Sequence, residues 1–193
     1  MKHIDCIITA AGLSTRMGQW KLMLPWQNGT ILDASIKNAL QFCSRIILVS
    51  GFQAEQLAAR YADDPRITLV YNADYAQGLF SSVRCGALAV NSEYCFITHG
   101  DLPCLTPRVF RTLWPLRYQG AILPVYQGTP GHPILIAREI LLQRLACATG
   151  TSVRQALLGG PHRQLALDYP EIIFDVDTPA DFTRLHQYTA TSQ

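Results

Sequence analysis

The sequence predicts an α/β fold, a three-layer sandwich in which helices cover both faces of a mostly parallel central sheet. Short apolar runs rich in Ile and Val alternate with longer stretches of helical period. Runs such as 46–49 are almost continuously apolar, as expected of strands that are covered on both faces. The 193 residues suffice for one sizeable core, and no repeat or linker divides them. We therefore expect a single domain over 1–193.

The same patterns predict the elements one by one. Apolar runs too short for helices predict strands over 4–9, 45–50, 67–71, 94–98 and 121–125. Stretches of helical period predict helices over 31–42, 54–61, 79–90 and 107–114, the first with a T-x-x-D capping signal at Thr30. After the turn-rich segment 127–133, we expect strands over 134–137, 164–167 and 172–174, and helices over 139–145, over 152–158 and from residue 179.

Composition and charge exclude several classes of protein. A hydrophobic share of 49% with 16% charged residues is typical of a globular chain and not of a disordered one. The net charge of +2 comes without a long basic stripe, so we expect no nucleic-acid binding. Since no apolar run is long enough to span a membrane and no signal peptide is visible, we expect a cytoplasmic protein. The six cysteines show neither C-x-x-C nor zinc-finger spacing, and we expect them to be reduced and structural.

The segment after the first strand has the features of a phosphate-binding loop. Ligands of open parallel sheets bind at the carboxyl ends of strands, where the run from Ala10 to Lys21 leaves the first strand. Its small residues allow close backbone approach, while Arg16 and Lys21 can neutralise a polyphosphate. The glycine spacing fits neither G-x-x-x-x-G-K-[ST] nor G-x-G-x-x-G. Taken alone, the segment is also compatible with an ordinary strand-to-helix turn that carries incidental cations.

Two acidic positions are candidate metal ligands. Asp101, in G-D-L-P, follows another predicted strand and can hold Mg²⁺ against substrate phosphates. Asp177, in the D-V-D-T-P run after the last predicted strand, can meet Asp101 over one ion. The alternative for Asp101 is a helix cap, since Thr106-Pro107 soon begins a helix. Carboxylates at two strand ends, with cations on the first loop, fit phosphoryl or nucleotidyl transfer to an anionic acceptor.

Four motifs taken together resemble one family. In order and spacing, A-A-G-L-S-T-R-M-G-Q-W-K, G-D-L-P, G-H-P and D-V-D-T-P are similar to the motifs of the nucleotidyltransferases that attach a nucleotide to molybdopterin. The resemblance runs from Ile4 to about Phe182. It implies a Rossmann-like, GT-A-like nucleotidyltransferase fold, with a nucleotide-binding half over about 1–105 and an acceptor-binding half over about 106–193.

The resemblance also implies the nucleotide and the other ligands. Guanylyltransferase members resemble L-A-G-G at the first loop and cytidylyltransferase members A-A-G, and this chain has Ala10-Ala11-Gly12. We infer that the Ala11 methyl narrows the base pocket and favours a pyrimidine. The implied substrates are CTP and molybdenum-bound molybdopterin, the implied cofactor is Mg²⁺, and the implied partner is a molybdoenzyme or its accessory protein.

A set of site residues follows from the same resemblance. The implied catalytic residues are Arg16, Lys21 and Asp101, and the implied metal ligands are Asp101 and Asp177. The nucleotide-binding set is Ala10, Ala11, Gly12, Ser14, Arg16, Lys21, Tyr75, Gly78, Ser81, Ser82, Gly100 and Asp101. His132 and Arg154 are the candidates for acceptor binding. Their alternatives are a turn histidine that fixes its own loop and a solvated helix arginine.

The implied reaction is Mg²⁺-dependent transfer of CMP from CTP to molybdopterin, which releases pyrophosphate. An acceptor phosphate is already ionised near neutral pH, so positioning and charge neutralisation suffice and no strong general base is required. Two alternatives stay open. One is a cytidylyltransferase for a sugar or alcohol phosphate, and the other is a non-catalytic carrier or chaperone of the molybdenum cofactor.

Overall fold

Strands and helices alternate along the protein, whose computed structural model describes residues 3–148 and 152–190. The strands are β1 (Asp5–Thr9), β2 (Pro25–Trp26), β3 (Gly29–Thr30), β4 (Arg45–Ser50), β5 (Ile67–Tyr71), β6 (Tyr94–His99), β7 (Ala121–Tyr126), β8 (Thr129–Pro130), β9 (Ile134–Ala137) and β10 (His162–Ala166). The helices are α1 (Ile31–Leu40), α2 (Ala54–Tyr61), α3 (Leu79–Leu88), α4 (Pro107–Leu113), α5 (Arg138–Cys147), α6 (Val153–Leu158) and α7 (Pro179–Ala190).

The main sheet is mostly parallel, as predicted. Its strand order is β10-β7-β9-β6-β1-β4-β5, and β8 pairs with β7. β6, β1, β4 and β5 run parallel to one another, and so do β10 and β7, whereas β9 is antiparallel to both β6 and β7. Thr9 at the end of β1 pairs with His99 at the end of β6. The loops that follow these two strands therefore leave the sheet side by side.

Helices cover both faces of the sheet, which confirms the three-layer sandwich. On β1, Cys6 and Ile8 belong to the apolar cluster that contains Leu57 of α2 and Phe110 of α4. Ile7, which points to the opposite face, packs in the cluster formed with α3, α5 and α6. Alternate side chains of one strand thus enter two separate cores, so the three inner positions of β1, residues 6–8, are all apolar and not only every second one.

The T-x-x-D signal does form a capping box at the start of α1. The Asp33 backbone N–H donates to Thr30 Oγ1 at 3.2 Å, and the Thr30 backbone N–H donates to Asp33 Oδ2 at 2.8 Å. Both bonds satisfy N–H groups that a helix start leaves without an internal partner.

The predicted strand over 172–174 is wrong, because this stretch forms a 3-10 turn, Pro170–Ile173. Pro170 cannot donate to a strand ladder, and the Ile172 carbonyl instead accepts the His132 backbone N–H at 2.8 Å. Glu171 is buried and accepts hydrogen bonds from Thr106 and Arg108. Ile172 is buried, as it would be in a strand, but its carbonyl accepts a hydrogen bond from a loop.

Two further sequence expectations concern the membrane and the cysteines. Among the described residues, no helix combines the length and the apolar character needed to cross a bilayer. All six cysteines fall in the described ranges, and all are free. The absence of disulfides among them agrees with the prediction, and their reduced state stays a prediction.

Candidate active site

A cavity of about 380 Å³ opens where the chain leaves the carboxyl ends of β1 and β6. We call it the loop cavity, because residues 10–21 form one of its walls. It brings together most of the predicted site residues, namely Ala10, Ala11, Gly12, Ser14, Arg16, Lys21, Tyr75, Gly78, Ser82, Asp101 and Asp177. The loops for which we predicted ligand binding therefore do lie together at the carboxyl ends of the strands.

The first loop folds back on itself through Ser14. Ser14 has a left-handed backbone conformation with φ 55°, and its carbonyl accepts the Met17 N–H at 3.0 Å. Its hydroxyl oxygen accepts the Lys21 backbone N–H at 3.3 Å. Gly18, with φ 72°, provides the second left-handed position. These turns return the chain to the cavity, so that both Arg16 and Lys21 line it.

A network of two cations and two carboxylates lies on this wall. The Lys21 ammonium donates to Asp101 Oδ2 at 2.5 Å and to Asp177 Oδ1 at 2.6 Å. The Arg16 guanidinium lies 2.6 Å from the other Asp177 oxygen, Oδ2. Burial acts to lower the pKa of Lys21, but the two carboxylates outweigh it and raise that pKa. Burial likewise acts to raise the pKa of Asp177, yet Lys21 and Arg16 hold it below its usual value.

Asp101 does not act as a helix cap. The N-cap of α4 is Thr106, and the Asp101 carboxylate is directed to Lys21. Its carbonyl accepts the Val176 N–H at 3.0 Å, which ties the D-V-D-T-P segment to this strand end. This contact accounts for the meeting of Asp101 with Asp177.

The carboxylates fit a divalent cation that also binds substrate phosphates. Within the described residues, Asp101 Oδ1 is buried and has no hydrogen-bond partner. Asp175 also lines the loop cavity, and burial together with the Asp101 charge raises its pKa. Across 3–148 and 152–190, no group of three or more His, Cys, Asp or Glu side chains forms a ready-made metal site. Proteins usually bind Mg²⁺ through one or two carboxylates, and phosphate oxygens of the substrate supply further ligands.

The opposite wall of the loop cavity carries Tyr75 and the start of α3. Gly78, at φ 97°, turns the chain into this helix with a backbone conformation that suits glycine. A Cβ on Gly51 would lie 2.5 Å from Tyr75 Cβ and 2.9 Å from Ala11 Cβ. The missing side chain at Gly51 therefore lets Ala11 and Tyr75 pack together beside the cavity.

Two of the predicted nucleotide-binding residues do not line the cavity. The Ser81 hydroxyl donates to the carbonyls of Asp74 and Gly78 and thus stabilises the turn before α3. Gly100 is buried against Leu32, and a Cβ there would come within 2.7 Å of a Leu32 methyl. Both residues thus stabilise segments next to the loop cavity without lining it.

A second, smaller cavity of about 180 Å³ contains both predicted acceptor residues. We call it the histidine cavity, because His99 and His132 line it together with Arg154. Its other walls are mostly apolar and include Val83, Ile97, Leu123, Ile134 and Leu158. Leu79 and His99 line both cavities, so the two are neighbours.

The two histidines face each other at this junction. Their ring centroids are 4.3 Å apart, and His99 Nδ1 lies 2.7 Å from the Thr9 hydroxyl. Burial, followed by the Lys21 charge, lowers the pKa of His99 to about 4. Burial, followed by His99, lowers the pKa of His132 to about 3. Both rings are therefore neutral at physiological pH and act as hydrogen-bonding and packing groups.

Sequence reasoning missed Thr9, Gly51, His99 and Asp175 as residues of the site. Their shared signal is position, since Thr9 and His99 end β1 and β6, and Gly51 directly follows β4. Asp175 is part of the D-V-D-T-P motif, which was noted for Asp177 alone.

Two sequence comparisons show to which family the chain belongs. A family model described as MobA-like NTP transferase domain matches residues 6–165. A curated molybdenum cofactor cytidylyltransferase from Escherichia coli K12 is 57% identical over 190 residues, covering 98% of this chain and 99% of that protein. The family resemblance read from the four motifs is thereby confirmed.

Two solved structures have the same fold as this chain. A Mycobacterium tuberculosis H37Rv protein has a TM-score of 0.81 at 27% identity, covering 96% of this chain and 98% of its own. A structure of the same protein in complex with manganese has a TM-score of 0.77 at 26% identity, covering 96% and 99%. The second structure connects this fold with a divalent metal.

Proposed function

The chain belongs to the MobA-like NTP transferase family, and from this premise we propose that it transfers CMP from CTP to molybdenum-bound molybdopterin. The products are molybdopterin cytosine dinucleotide and pyrophosphate. The observation that carries the proposal is the 57% identity, over nearly the whole of both chains, with a curated molybdenum cofactor cytidylyltransferase. The charged loop cavity supports the reaction type, because nucleotidyl transfer depends on positioning and charge neutralisation.

The loop cavity would hold the triphosphate. Arg16 and Lys21 are the cations of its wall, and we assign to them the β- and γ-phosphates and the leaving pyrophosphate. An arginine grips phosphate oxygens as a fork and a lysine as a point charge. The α3 helix begins at the same cavity, and a helix start favours nearby anions.

Asp101 and Asp177 are the residues that would hold Mg²⁺. The unpartnered Asp101 Oδ1 supports this assignment. When bound, the ion would neutralise charge at the α-phosphate.

Ala11 is the residue that we connect with the choice of base. Its side chain is buried beside the loop cavity and packs close to Tyr75 and Gly51. A methyl group at this position reduces the space available to a purine. One methylene group in a pocket is worth roughly 1–3 kcal/mol of discrimination, which suffices for a preference for CTP over GTP.

The histidine cavity would hold the acceptor. Its apolar walls suit a flat ring system, and Arg154 provides a positive charge for the acceptor phosphate. His99 lies where the two cavities meet, which is where an acceptor phosphate would approach the nucleotide. We further propose that the product passes to a molybdoenzyme or its accessory protein in the cytoplasm.

The test is turnover by the purified protein with defined nucleotides and acceptors. CTP with molybdenum-bound molybdopterin should release pyrophosphate and yield a product whose mass has increased by one CMP unit. GTP should support the reaction poorly. Turnover only with a sugar or alcohol phosphate would overturn the assigned acceptor, equal rates with CTP and GTP would overturn the assigned base, and binding without turnover would indicate a carrier.

A further inference from the structure

Lys21 occupies the space between the two carboxylates that we assign to the metal. Its ammonium group lies 2.5 Å from Asp101 Oδ2 and 2.6 Å from Asp177 Oδ1. The lysine side chain is 14% exposed, so the contact is shielded from solvent on most sides. The two carboxylate oxygens that face each other across the site therefore already bind a cation, the Lys21 ammonium group.

Charges in the network are already balanced without a metal. Lys21 and Arg16 carry two positive charges against the two negative charges of Asp101 and Asp177. A divalent ion added to these oxygens would meet the ammonium group at close range. Repulsion at such distances is strong where water is partly excluded. Free metal therefore has to displace Lys21, and the displaced ammonium group needs another anionic partner.

We propose that Lys21 blocks the metal site of the free protein, so that a divalent cation binds tightly only together with a nucleoside triphosphate. The ligand class rests on the proposed function. Triphosphate oxygens would give Lys21 and Arg16 new partners in the loop cavity, which both residues line. The flexible four-carbon stem of lysine permits such an exchange of partners. Asp101 Oδ1, which has no partner within the described residues, remains available throughout.

Mn²⁺ binding to the nucleotide-free protein tests this inference without any turnover. Free Mn²⁺ is measured by electron paramagnetic resonance during titration of the wild type and of Lys21→Gln. Lys21→Gln should bind Mn²⁺ at least about tenfold more tightly, because removal of the ammonium group frees both carboxylates. Arg16→Gln is the matched control, since it removes the same charge from the same network. It should change the affinity less than about threefold, because Arg16 is 70% exposed and its ion pair within the described residues is with Asp177 and not with Asp101.

A second measurement adds CTP without an acceptor. Equilibrium dialysis of the wild type should show protein-bound Mn²⁺ rising in step with protein-bound CTP. The inference is overturned if Lys21→Gln binds free Mn²⁺ no more tightly than the wild type. It is also overturned if Arg16→Gln has an equal effect, since charge alone would then explain the change.

Folding and function are separated by two further readouts. Melting temperatures show whether Lys21→Gln is folded, and Lys21→Met, which should give the same gain in Mn²⁺ affinity, replaces it if it is not. Failure of the proposed function would appear as absent CTP-dependent turnover while the difference in Mn²⁺ affinity persists. Failure of the inference would leave turnover intact and remove that difference.

Discussion

The loop cavity and the histidine cavity are neighbours but offer ligands different chemistry. The wall of the loop cavity carries Arg16, Lys21, Asp101 and Asp177, all within one network of charge. The histidine cavity is smaller and mostly apolar, and its two histidines are neutral. The first is suited to phosphates and the developing charge of a reaction, whereas the second is suited to the shape of a bound ring. Changes in the first should therefore lower kcat, and changes in the second should raise the KM of the acceptor.

The largest effect is expected for Asp101→Asn. This substitution keeps the shape but removes the charge that contacts Lys21 and that we assign to the metal. Turnover measured as pyrophosphate release should fall by about a thousandfold, while the melting temperature changes little. Asp64→Asn is a suitable control, because Asp64 pairs with an exposed Arg66 and lines neither cavity. Near-normal turnover of Asp101→Asn at saturating Mg²⁺ would contradict the metal-binding role.

Lys21→Ala should have the next largest effect. It removes a charge that would strengthen its contact as pyrophosphate leaves, so kcat should fall by about a hundredfold, or roughly 3 kcal/mol. Steady-state kinetics with CTP and the acceptor measure this, with the exposed Lys37→Ala as control. A variant that is folded and turns over at the wild-type rate would show that Lys21 has no part in the reaction.

His132→Gln should sharpen the distinction between the cavities. The side chain lines the histidine cavity and not the loop cavity, so the KM of the acceptor should rise about tenfold, the worth of one hydrogen bond, while the KM of CTP stays constant. The two KM values are obtained by varying one substrate at a time. A rise confined to the KM of CTP would reverse the assignment of the two cavities.

The last prediction concerns the stability of the protein as a function of pH and not its turnover. The folded-state pKa values of His99 and His132, about 4 and about 3, lie below the ordinary value of 6.5. As the pH falls below 6.5, the unfolded chain binds protons that the folded protein does not, so the free energy of unfolding decreases. The stabilisation from each neutral histidine is fully present above pH 6.5. It is lost towards pH 4, by up to about 1.4 kcal/mol per pH unit for each histidine.

Denaturant unfolding at pH 7 and pH 5.5 measures this loss. The double variant His99→Gln/His132→Gln should show a smaller dependence on pH than the wild type. Asp175 acts in the opposite direction, because its pKa is raised, but it is present in both proteins and cancels in the comparison. Identical slopes in the two proteins would mean that the histidines titrate in the folded state as they do in the unfolded chain.

Local patterns were sufficient where neighbours in the sequence decide the structure. The bounds of β4, β5 and α2 agree with their predicted ranges, because each depends on a short apolar period between polar ends. The prediction of a strand over 172–174 was wrong, because the Ile172 carbonyl bonds to the G-H-P loop. That loop lies far away in the sequence, so no local pattern indicates the contact. The division into a nucleotide half and an acceptor half stays a prediction, and each cavity takes residues from both halves.

The sequence by itself determined the alternation of strands and helices, the loop cations and the identity of the four motifs. These follow from side-chain period, residue size and charge within short segments. Only the tertiary structure decided that Lys21 lies between Asp101 and Asp177, which are 80 and 156 positions away along the chain. It also placed His99 between the two cavities. Such meetings depend on the order of strands in the sheet, which brings distant strand ends together and which no local pattern encodes.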